Sequence, residues 1–359
     1  MEWKLSDEQA AYRETLRDWL SDVASSEQVR GWWEANGGRG DAGPFEQRFV
    51  SADLAGVGLP EELGGQGGGV VELALTAEEL GRAAAPSAAW LSTVLAVPAL
   101  PRDLAESALG GGHAALLFPA EVPPSAVSGL AMDERGRISG DVPRVLAGDR
   151  ASSYVVVVDG EAGRSLHLVD AAVDGVTVTP CDLLDRSRSV ADVRLDDVPS
   201  VEISVAAEEY LASTTDLAAV LVAADALGAS ERMLDLAVEY SKQRRQFGQP
   251  IGSFQAVKHA AATILVGVEA ARSGIYLAAA SIEERDPERA LHAAAVKAQV
   301  SAEAARAADS ALTMHGAIGY TWEHDLHLFY KRAKLDRFLF GAPEVWNERI
   351  ATELVLTPT

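Results

Sequence analysis

The segment Arg244–Gln255 reads RRQFGQPIGSFQ and joins two long stretches of helical character in the last third of the chain. Arg244 carries a planar guanidinium group that can donate two parallel hydrogen bonds to paired phosphate oxygens. Phe247 offers an apolar wall beside such a ligand. A lone pair of arginines such as Arg244 and Arg245 more often binds the carbonyls of a solvated helix end. The surrounding sequence therefore has to decide between the two interpretations.

A second segment, Met314–Glu323, reads MHGAIGYTWE and predicts a glycine-rich turn. It follows a predicted helix in which Pro287 occupies the first helical position. Apart from these two short segments, the last third is expected to be helical. The helices predicted there cover residues 214–240, 253–284, 287–314 and 343–354.

The rest of the chain divides into a helical part and a β part. Ser6 is expected to cap an amphipathic helix that ends near Val23, and further helices are predicted over residues 71–84 and 87–97. The glycine cluster Gly64–Gly69 lacks the lysine and the preceding strand of a phosphate-binding loop, so it is predicted to be structural. Short β-branched runs between turn residues then predict a small all-β domain. These runs cover residues 115–118, 154–158, 166–169, 176–178 and 190–195.

The composition excludes several functional classes. An excess of 53 acidic over 31 basic residues gives a net charge of −22, which would repel nucleic acid and anionic membrane surfaces. Cys181 is the only cysteine, so an intrachain disulfide and a cysteine-based metal cluster are both excluded. No apolar run approaches the roughly 18 residues that span a bilayer. We therefore expect a cytoplasmic protein that binds no metal.

Taken together, the order of helical, β and helical parts and the two motifs resemble the acyl-CoA dehydrogenase family along essentially the whole chain. Arg244–Gln255 is similar to the family's R-x-x-F-G-x-x-I-x-x-F-Q segment, and Met314–Glu323 is similar to its later glycine-rich turn. Pro60–Gly65 and Glu78–Arg82 resemble features of its N-terminal part. The resemblance implies a mainly α, α+β fold. Its domains would be an N-terminal helical domain over residues 1–110, a middle β domain over 111–206 and a C-terminal four-helix bundle over 207–359.

The resemblance also implies FAD as the cofactor. In this family the arginine, the phenylalanine and the glycine-rich turn reach across a subunit interface to the ADP half of an FAD held by a neighbour. The turn departs from the family pattern, because Thr313 replaces a glutamine and Gly316-Ala317 replaces Gly-Gly; weaker cofactor binding is expected. His315 is more often an ordinary polar turn residue than a cofactor contact. The predicted cofactor-facing residues are Arg244, Gln246, Phe247, Gln255, Thr313, His315, Gly316 and Ala317.

The carboxylate that the family's chemistry needs is missing. Family members remove a proton alpha to the thioester carbonyl while a hydride leaves the beta carbon for the flavin, so a base must lie against the substrate. The two positions at which the family places this glutamate correspond to Phe340 and Ala218, and neither side chain accepts a proton. No catalytic residue is therefore predicted. Asp225 lies seven residues beyond Ala218 on roughly the same helical face and is the candidate for a relocated base, although an interior aspartate is more often held by an arginine.

The β domain departs from the family as well. Phe118–Pro123, FPAEVP, stands in place of a Thr-Glu-Pro-Gly type segment, and Arg144–Leu146 stands in place of Trp-x-Thr. The aromatic ring and the hydroxyl that would line the isoalloxazine are absent from these positions. We therefore expect this chain's own flavin and substrate cleft to be degenerate, while the surface that faces a neighbour's FAD is kept.

The leading hypothesis is a subunit without a catalytic base in a hetero-oligomeric acyl-CoA dehydrogenase. Its partner would be a homologous catalytic subunit in an α2β2 assembly, similar to the paired actinobacterial subunits that act on sterol side-chain CoA thioesters. A second hypothesis is an active homo-oligomer that uses Asp225. A third is a flavin monooxygenase on the same fold, which would need an intact isoalloxazine site. The fourth is an interaction protein without flavin.

Overall fold

The computed structural model describes residues 4–38, 40–161 and 163–354, and the chain forms two compact units. The bundle unit contains the chain up to Arg30, the segment Ala74–Ala85 and everything from Ala219 onward. The sheet unit contains Gly31–Leu73 and Pro86–Ala218. The three domain boundaries inferred from sequence stay a prediction, and residues 1–3 and 355–359 of those domains lie outside the described part.

Helices make up most of the described chain. α1 begins with a capping box in which Ser6 and Gln9 each accept a hydrogen bond from the other's backbone N–H, as the Ser6 cap predicted. The helices are α1 Asp7–Val23, α2 Ser26–Gly38, α3 Gly43–Ser51, α4 Val70–Arg82, α5 Ala88–Ala96, α6 Arg102–Ser107, α7 Ala207–Gln243, α8 Gln255–Glu283, α9 Arg289–His315, α10 Leu326–Asp336 and α11 Pro343–Glu353.

The sheet unit holds two four-stranded sheets. One has the order β1-β4-β5-β8 with β1 parallel to β4, and the other has the order β2-β3-β7-β6 with antiparallel pairs. Their buried faces share one core, built from alternate residues such as Val142, Tyr154 and Val193. The strands are β1 Ala114–Leu116, β2 Ala131–Met132, β3 Arg137–Leu146, β4 Ser153–Gly160, β5 Gly163–Asp170, β6 Val176–Pro180, β7 Val190–Pro199 and β8 Val201–Ile203.

The predicted fold class is confirmed, with corrections to individual elements. β3 was not predicted from the sequence, because Gly140 and Pro143 interrupt its alternation and the strand shifts register against β7 near both residues. Pro287 is not the first residue of a helix: it lies in the turn before α9, which begins at Arg289. Pro343 does occupy the first position of α11.

Two helices contain longer apolar windows than was predicted from the sequence. By length and composition alone, α7 and α8 could each cross a membrane, because their charges are spaced widely enough to leave long apolar windows. In α7, 83% of that window is buried inside the protein, as in the core helix of a soluble protein. In α8 the buried share is 28%.

Within the bundle unit, α4 and α7 touch backbone to backbone. A Cβ added at Gly228 would lie 1.8 Å from the carbonyl oxygen of Glu78, and one added at Gly81 would lie 2.1 Å from that of Asp225. Real Cβ atoms do not approach a carbonyl oxygen this closely, so only glycine fits at either position. The two glycines therefore set the distance between these helices.

We expect Gly228→Ala to destabilise the protein by on the order of 3 kcal/mol, because two packed helices would have to separate. Gly267→Ala is the matched control: this glycine also lies within a helix, but a Cβ there meets no atom within 4 Å. It should stabilise the fold by about 0.5–1 kcal/mol through helix propensity. Thermal unfolding of the two purified variants measures both effects. Equal melting temperatures would contradict the proposed close packing.

Candidate cofactor surface and base positions

A tight hairpin follows the end of α7. β9, Arg245–Gln246, pairs with β10, Gln249–Pro250, and the two turn residues Phe247 and Gly248 both have positive φ, at 50° and 82°. Two consecutive positive φ values are typical of a type I′ turn, which Gly248 favours because it has no Cβ. The hairpin is tied to its surroundings by backbone bonds of Arg244, whose N–H donates to Tyr240 and whose carbonyl accepts from Ile251, both at 2.8 Å.

The hairpin presents a cation and an aromatic ring to solvent. Arg244 is exposed, and among the described residues its guanidinium has no ion pair or hydrogen bond. Phe247 is 90% exposed, and its ring makes a T-shaped contact with Phe254, at 6.1 Å between ring centroids. Arg245 instead donates to the carbonyl of Gly248 at 3.1 Å and so stabilises the turn. The two exposed groups are thus free to bind a ligand from outside this chain.

Of the other predicted residues on this side, Gln246 and Gln255 are also exposed. The Gln246 amide donates to the Arg245 carbonyl at 2.8 Å, while Gln255 is the first residue of α8. A first-turn position leaves the Gln255 backbone N–H without a partner inside the helix. Gln255 is therefore placed to contribute polar contacts, and Gln246 partly belongs to the hairpin itself.

The predicted glycine-rich turn begins where α9 ends. Gly316, with φ of 65°, opens a 3₁₀ helix that runs to Tyr320, and both Gly316 and Ala317 are exposed. The Thr313 hydroxyl donates to the Asp309 carbonyl at 2.8 Å. The ring of His315 is buried and does not face outward. A cofactor contact from His315 would therefore have to come from its backbone, whereas Gly316 and Ala317 can contribute directly.

The turn at position 340 keeps a defined shape without a carboxylate. Phe340 is buried with φ of 55°, and its carbonyl accepts from Trp346 Nε1 at 3.1 Å. Lys297 Nζ donates to the carbonyls of Asp336 at 3.0 Å and Gly341 at 3.1 Å. Burial lowers the pKa of Lys297 to about 7, although nearby Asp336 favours the charged form. Neither of these anchors depends on the side chain at position 340.

No base is available at position 218 or from Asp225. Ala218 is fully buried in α7, as its methyl side chain allows. The Asp225 carboxylate accepts from Arg332 Nε at 2.7 Å and from Nη2 at 2.6 Å, and both side chains are buried. A carboxylate held by two charge-assisted hydrogen bonds is strongly biased toward its ionised form and away from proton transfer. The structure thus favours the structural role of Asp225 over the catalytic one.

In the sheet unit, the segments that correspond to the family's flavin-facing residues offer few polar groups. Phe118 and Leu146 are buried, and the guanidinium of Arg144 is paired with Glu121. The Leu146 carbonyl is occupied by the hydroxyl of Ser92 at 3.2 Å. The residues present therefore fit the ADP end of a dinucleotide, through Arg244 on the hairpin, but do not fit an isoalloxazine ring.

Comparisons with known proteins identify the family of the chain. The acyl-CoA dehydrogenase N-terminal domain family matches residues 6–103, and the acyl-CoA dehydrogenase C-terminal domain family matches residues 209–355. The chain is 32% identical to acyl-CoA dehydrogenase IpdE2 of Mycobacterium tuberculosis over 98% of its own length and 99% of that protein. The chain belongs to the acyl-CoA dehydrogenase family. FAD is the cofactor of this family of oxidoreductases.

Two solved structures share the fold. The ChsE4-ChsE5 complex from Mycobacterium tuberculosis has a chain with a TM-score of 0.86 and 25% identity, with full coverage of both chains. The Tcur3481-Tcur3483 steroid acyl-CoA dehydrogenase, a G363A variant, has a TM-score of 0.86 and 26% identity over 96% of this chain and 97% of that one. This chain spans only about half the length, 48%, of a longer acyl-CoA dehydrogenase from M. tuberculosis to which it is 35% identical.

Three residues that shape these sites were not predicted from the sequence. Lys297 and Arg332 lie in helices where a basic residue ordinarily indicates the solvent face, yet both are fully buried. Tyr240 reads as a helix-end aromatic, and only the structure brings it to His315. A sequence signal exists for Lys297 alone, because it interrupts an apolar stretch of α9.

We expect Asp225→Asn to lower the free energy of unfolding by about 3 kcal/mol or more, because Arg332 would stay buried without its counter-charge. Asp235→Asn is the control, since this exposed aspartate pairs with Arg82 at 2.8 Å and should cost under about 1 kcal/mol. Urea denaturation of both variants measures the difference. If Asp225→Asn abolished turnover while leaving stability unchanged, the result would support the hypothesis that Asp225 is a relocated catalytic base.

Proposed function

We propose that this chain is the subunit without a catalytic base in a heteromeric acyl-CoA dehydrogenase, and that it completes the FAD site of a homologous catalytic subunit in an α2β2 assembly. The proposal rests on a contrast between two parts of this chain, the exposed hairpin and the positions of the missing base. The Arg244 and Phe247 side chains are exposed, and the Arg244 guanidinium has no partner among the described residues, whereas the base positions hold Phe340 and Ala218. Similarity to a chain of the ChsE4-ChsE5 complex supports a heteromer.

Under this proposal the residues of this chain bind and position, and the partner carries out the proton transfer. The Arg244 fork would hold the pyrophosphate of FAD, and Phe247 would cover an apolar face of its ADP half. When bound, FAD would supply the acceptor for the hydride that leaves the beta carbon of the acyl-CoA. No residue of this chain takes the alpha proton, so the carboxylate comes from the partner subunit.

The surface of α8 supports an assembly. Leu265, Val266 and Leu277 are exposed at 49%, 69% and 39% on a helix whose apolar window is mostly unburied. Exposed apolar residues that gather on one helix indicate an interface in a protein that remains soluble. A partner subunit that covers this face would remove the apolar area from water.

For the substrate, we propose the CoA thioester of a sterol side chain. The support is the 26% identity to a protein described as a steroid acyl-CoA dehydrogenase, together with the chain-wide likeness in fold. For the location we propose the cytoplasm, since the chain has one cysteine, Cys181, and no cysteine pair.

The complex of this chain with its partner should contain one flavin per heterodimer, because each pair would have one cleft able to hold an isoalloxazine ring and one that is not. Visible absorbance gives the flavin-to-protein ratio of the co-purified complex, and native mass spectrometry gives the subunit ratio. A value near one flavin per chain would show that this subunit holds FAD in its own cleft. A yellow, active homo-oligomer of this chain alone would overturn the proposal altogether.

Arg244→Ala should reduce the flavin content and the activity of that complex without unfolding either subunit. The pyrophosphate would lose a charge-assisted hydrogen bond worth on the order of 2 kcal/mol. Arg244→Lys should recover only part of the loss, since a point charge replaces a planar fork. Arg102→Ala controls for the removal of one exposed positive charge, because Arg102 lies in α6 and its ion pair, with Glu106, is within that helix. Equal flavin content in the Arg244 and Arg102 variants would argue against an ADP contact.

A further inference from the structure

Three aromatic rings from separate segments of the bundle unit meet in one cluster. Tyr240, in the last turn of α7, stacks on His315 at 4.8 Å between centroids with an angle of 22°. His324, in the loop before α10, meets the edge of His315 at 4.5 Å and that of Tyr240 at 6.0 Å. These separations are those of favourable aromatic pairs.

Hydrogen bonds fix the orientation of the two imidazoles. His315 Nδ1 lies 2.7 Å from the Ala311 carbonyl, and because a carbonyl only accepts, Nδ1 carries the proton. His324 Nδ1 accepts from the backbone N–H of Leu326 at 3.1 Å. Burial lowers the pKa of His315, although the carbonyls of Ala311 and Leu236 favour a charged ring. The His315 ring that stacks on Tyr240 is therefore biased toward its neutral form.

The cluster joins the two exposed segments that the proposed function needs. Tyr240 lies one helical turn before Arg244, and its carbonyl accepts a hydrogen bond from the Arg244 N–H at 2.8 Å. The Tyr240 ring is therefore attached to the stretch of backbone that leads into the hairpin. His315 is the last residue of α9 and directly precedes Gly316, where the exposed part of the glycine-rich turn begins. The stack of Tyr240 on His315 therefore connects the backbone segments from which the hairpin and the turn begin.

We propose that Tyr240, His315 and His324 are positioning residues, which hold the hairpin and the glycine-rich turn in one fixed relation so that both meet the same neighbour's FAD. This inference rests on the proposed function. Two segments that are held together before binding lose less conformational freedom when a ligand orders them. The buried histidine thus acts on the cofactor through the cluster instead of touching it.

A double-mutant cycle in the purified heteromeric complex tests the proposal. The cycle compares His315→Ala, Arg244→Ala and the double variant, with the FAD dissociation constant read by flavin fluorescence well below the melting temperature. We expect His315→Ala to weaken FAD binding by about three- to tenfold. Arg244→Ala should then weaken binding by a smaller factor in the His315→Ala background than alone, because a misplaced arginine has less to lose.

A conservative variant separates positioning from a merely structural role. His315→Phe retains the stack on Tyr240 and should restore the FAD dissociation constant to within about twofold of the unmodified complex. Tyr240→Leu removes the same stack from the other side, and it keeps the test decisive if His315→Ala fails to fold. Strictly additive effects in the cycle, or equal losses in His315→Phe and His315→Ala, would overturn the proposal.

The arms also distinguish this inference from the function on which it rests. If Arg244→Ala alone leaves FAD binding unchanged, the proposed function fails. If Arg244→Ala weakens binding but its effect is independent of His315, only the positioning role fails. A fall in melting temperature without any change in the dissociation constant would likewise reduce the cluster to a packing feature.

Discussion

The buried ion pair between Asp225 of α7 and Arg332 of α10 is the interaction on which the bundle unit depends. Arg332 binds both carboxylate oxygens, and its Nη1 donates to the carbonyl of Ala85, just beyond α4, at 2.7 Å. One guanidinium therefore fixes three segments at a single point. A buried charge that loses its partner is strongly destabilising, so none of these groups can be released for another purpose. The same geometry that makes Asp225 indispensable to the fold removes it from acid–base chemistry.

At position 340, the shape of the turn likewise does not depend on the side chain that the chemistry would need. The turn that would carry a base in other family members is held by Lys297 and Trp346, which bind backbone carbonyls and not the side chain at 340. A phenylalanine with φ of 55° is strained in isolation, and it persists because these neighbours fix the backbone around it. Loss of the carboxylate therefore leaves the surrounding helices undisturbed. Under the proposed function, this independence is what would let the chain lose its base while it keeps the shape of the turn.

The sequence predicted those features that depend on local patterns. The Ser6 cap, the long helices of the last third and five of the strands follow from side-chain periodicity and from capping and turn residues. β3 escaped because its bulges break the alternation on which such predictions rest. The ion-pair partner of Asp225 was also not predicted, because Arg332 lies 107 residues away in the sequence. An arginine in a helix ordinarily indicates the solvent-exposed face, whereas Arg332 is buried. The motif Arg244–Gln255 was recognised as the link between two helices, but its hairpin was not predicted. The inward orientation of His315 depends on a tertiary contact with Tyr240 that no local pattern encodes.

The exposed ring of Phe247 is unfavourable for a chain that works alone, and among the described residues the Arg244 guanidinium beside it has no partner. Phe247 at 90% exposure leaves apolar area in water, and its position in a rigid two-residue turn prevents it from folding back onto the surface. Many other arginines of the bundle unit, such as Arg17 and Arg82, are paired with carboxylates, as expected in a chain of net charge −22. Arg244 is kept apart from this abundant negative charge. A hairpin that combines both features suits the ligand of the proposed function, a dinucleotide that is apolar on one face and anionic beside it.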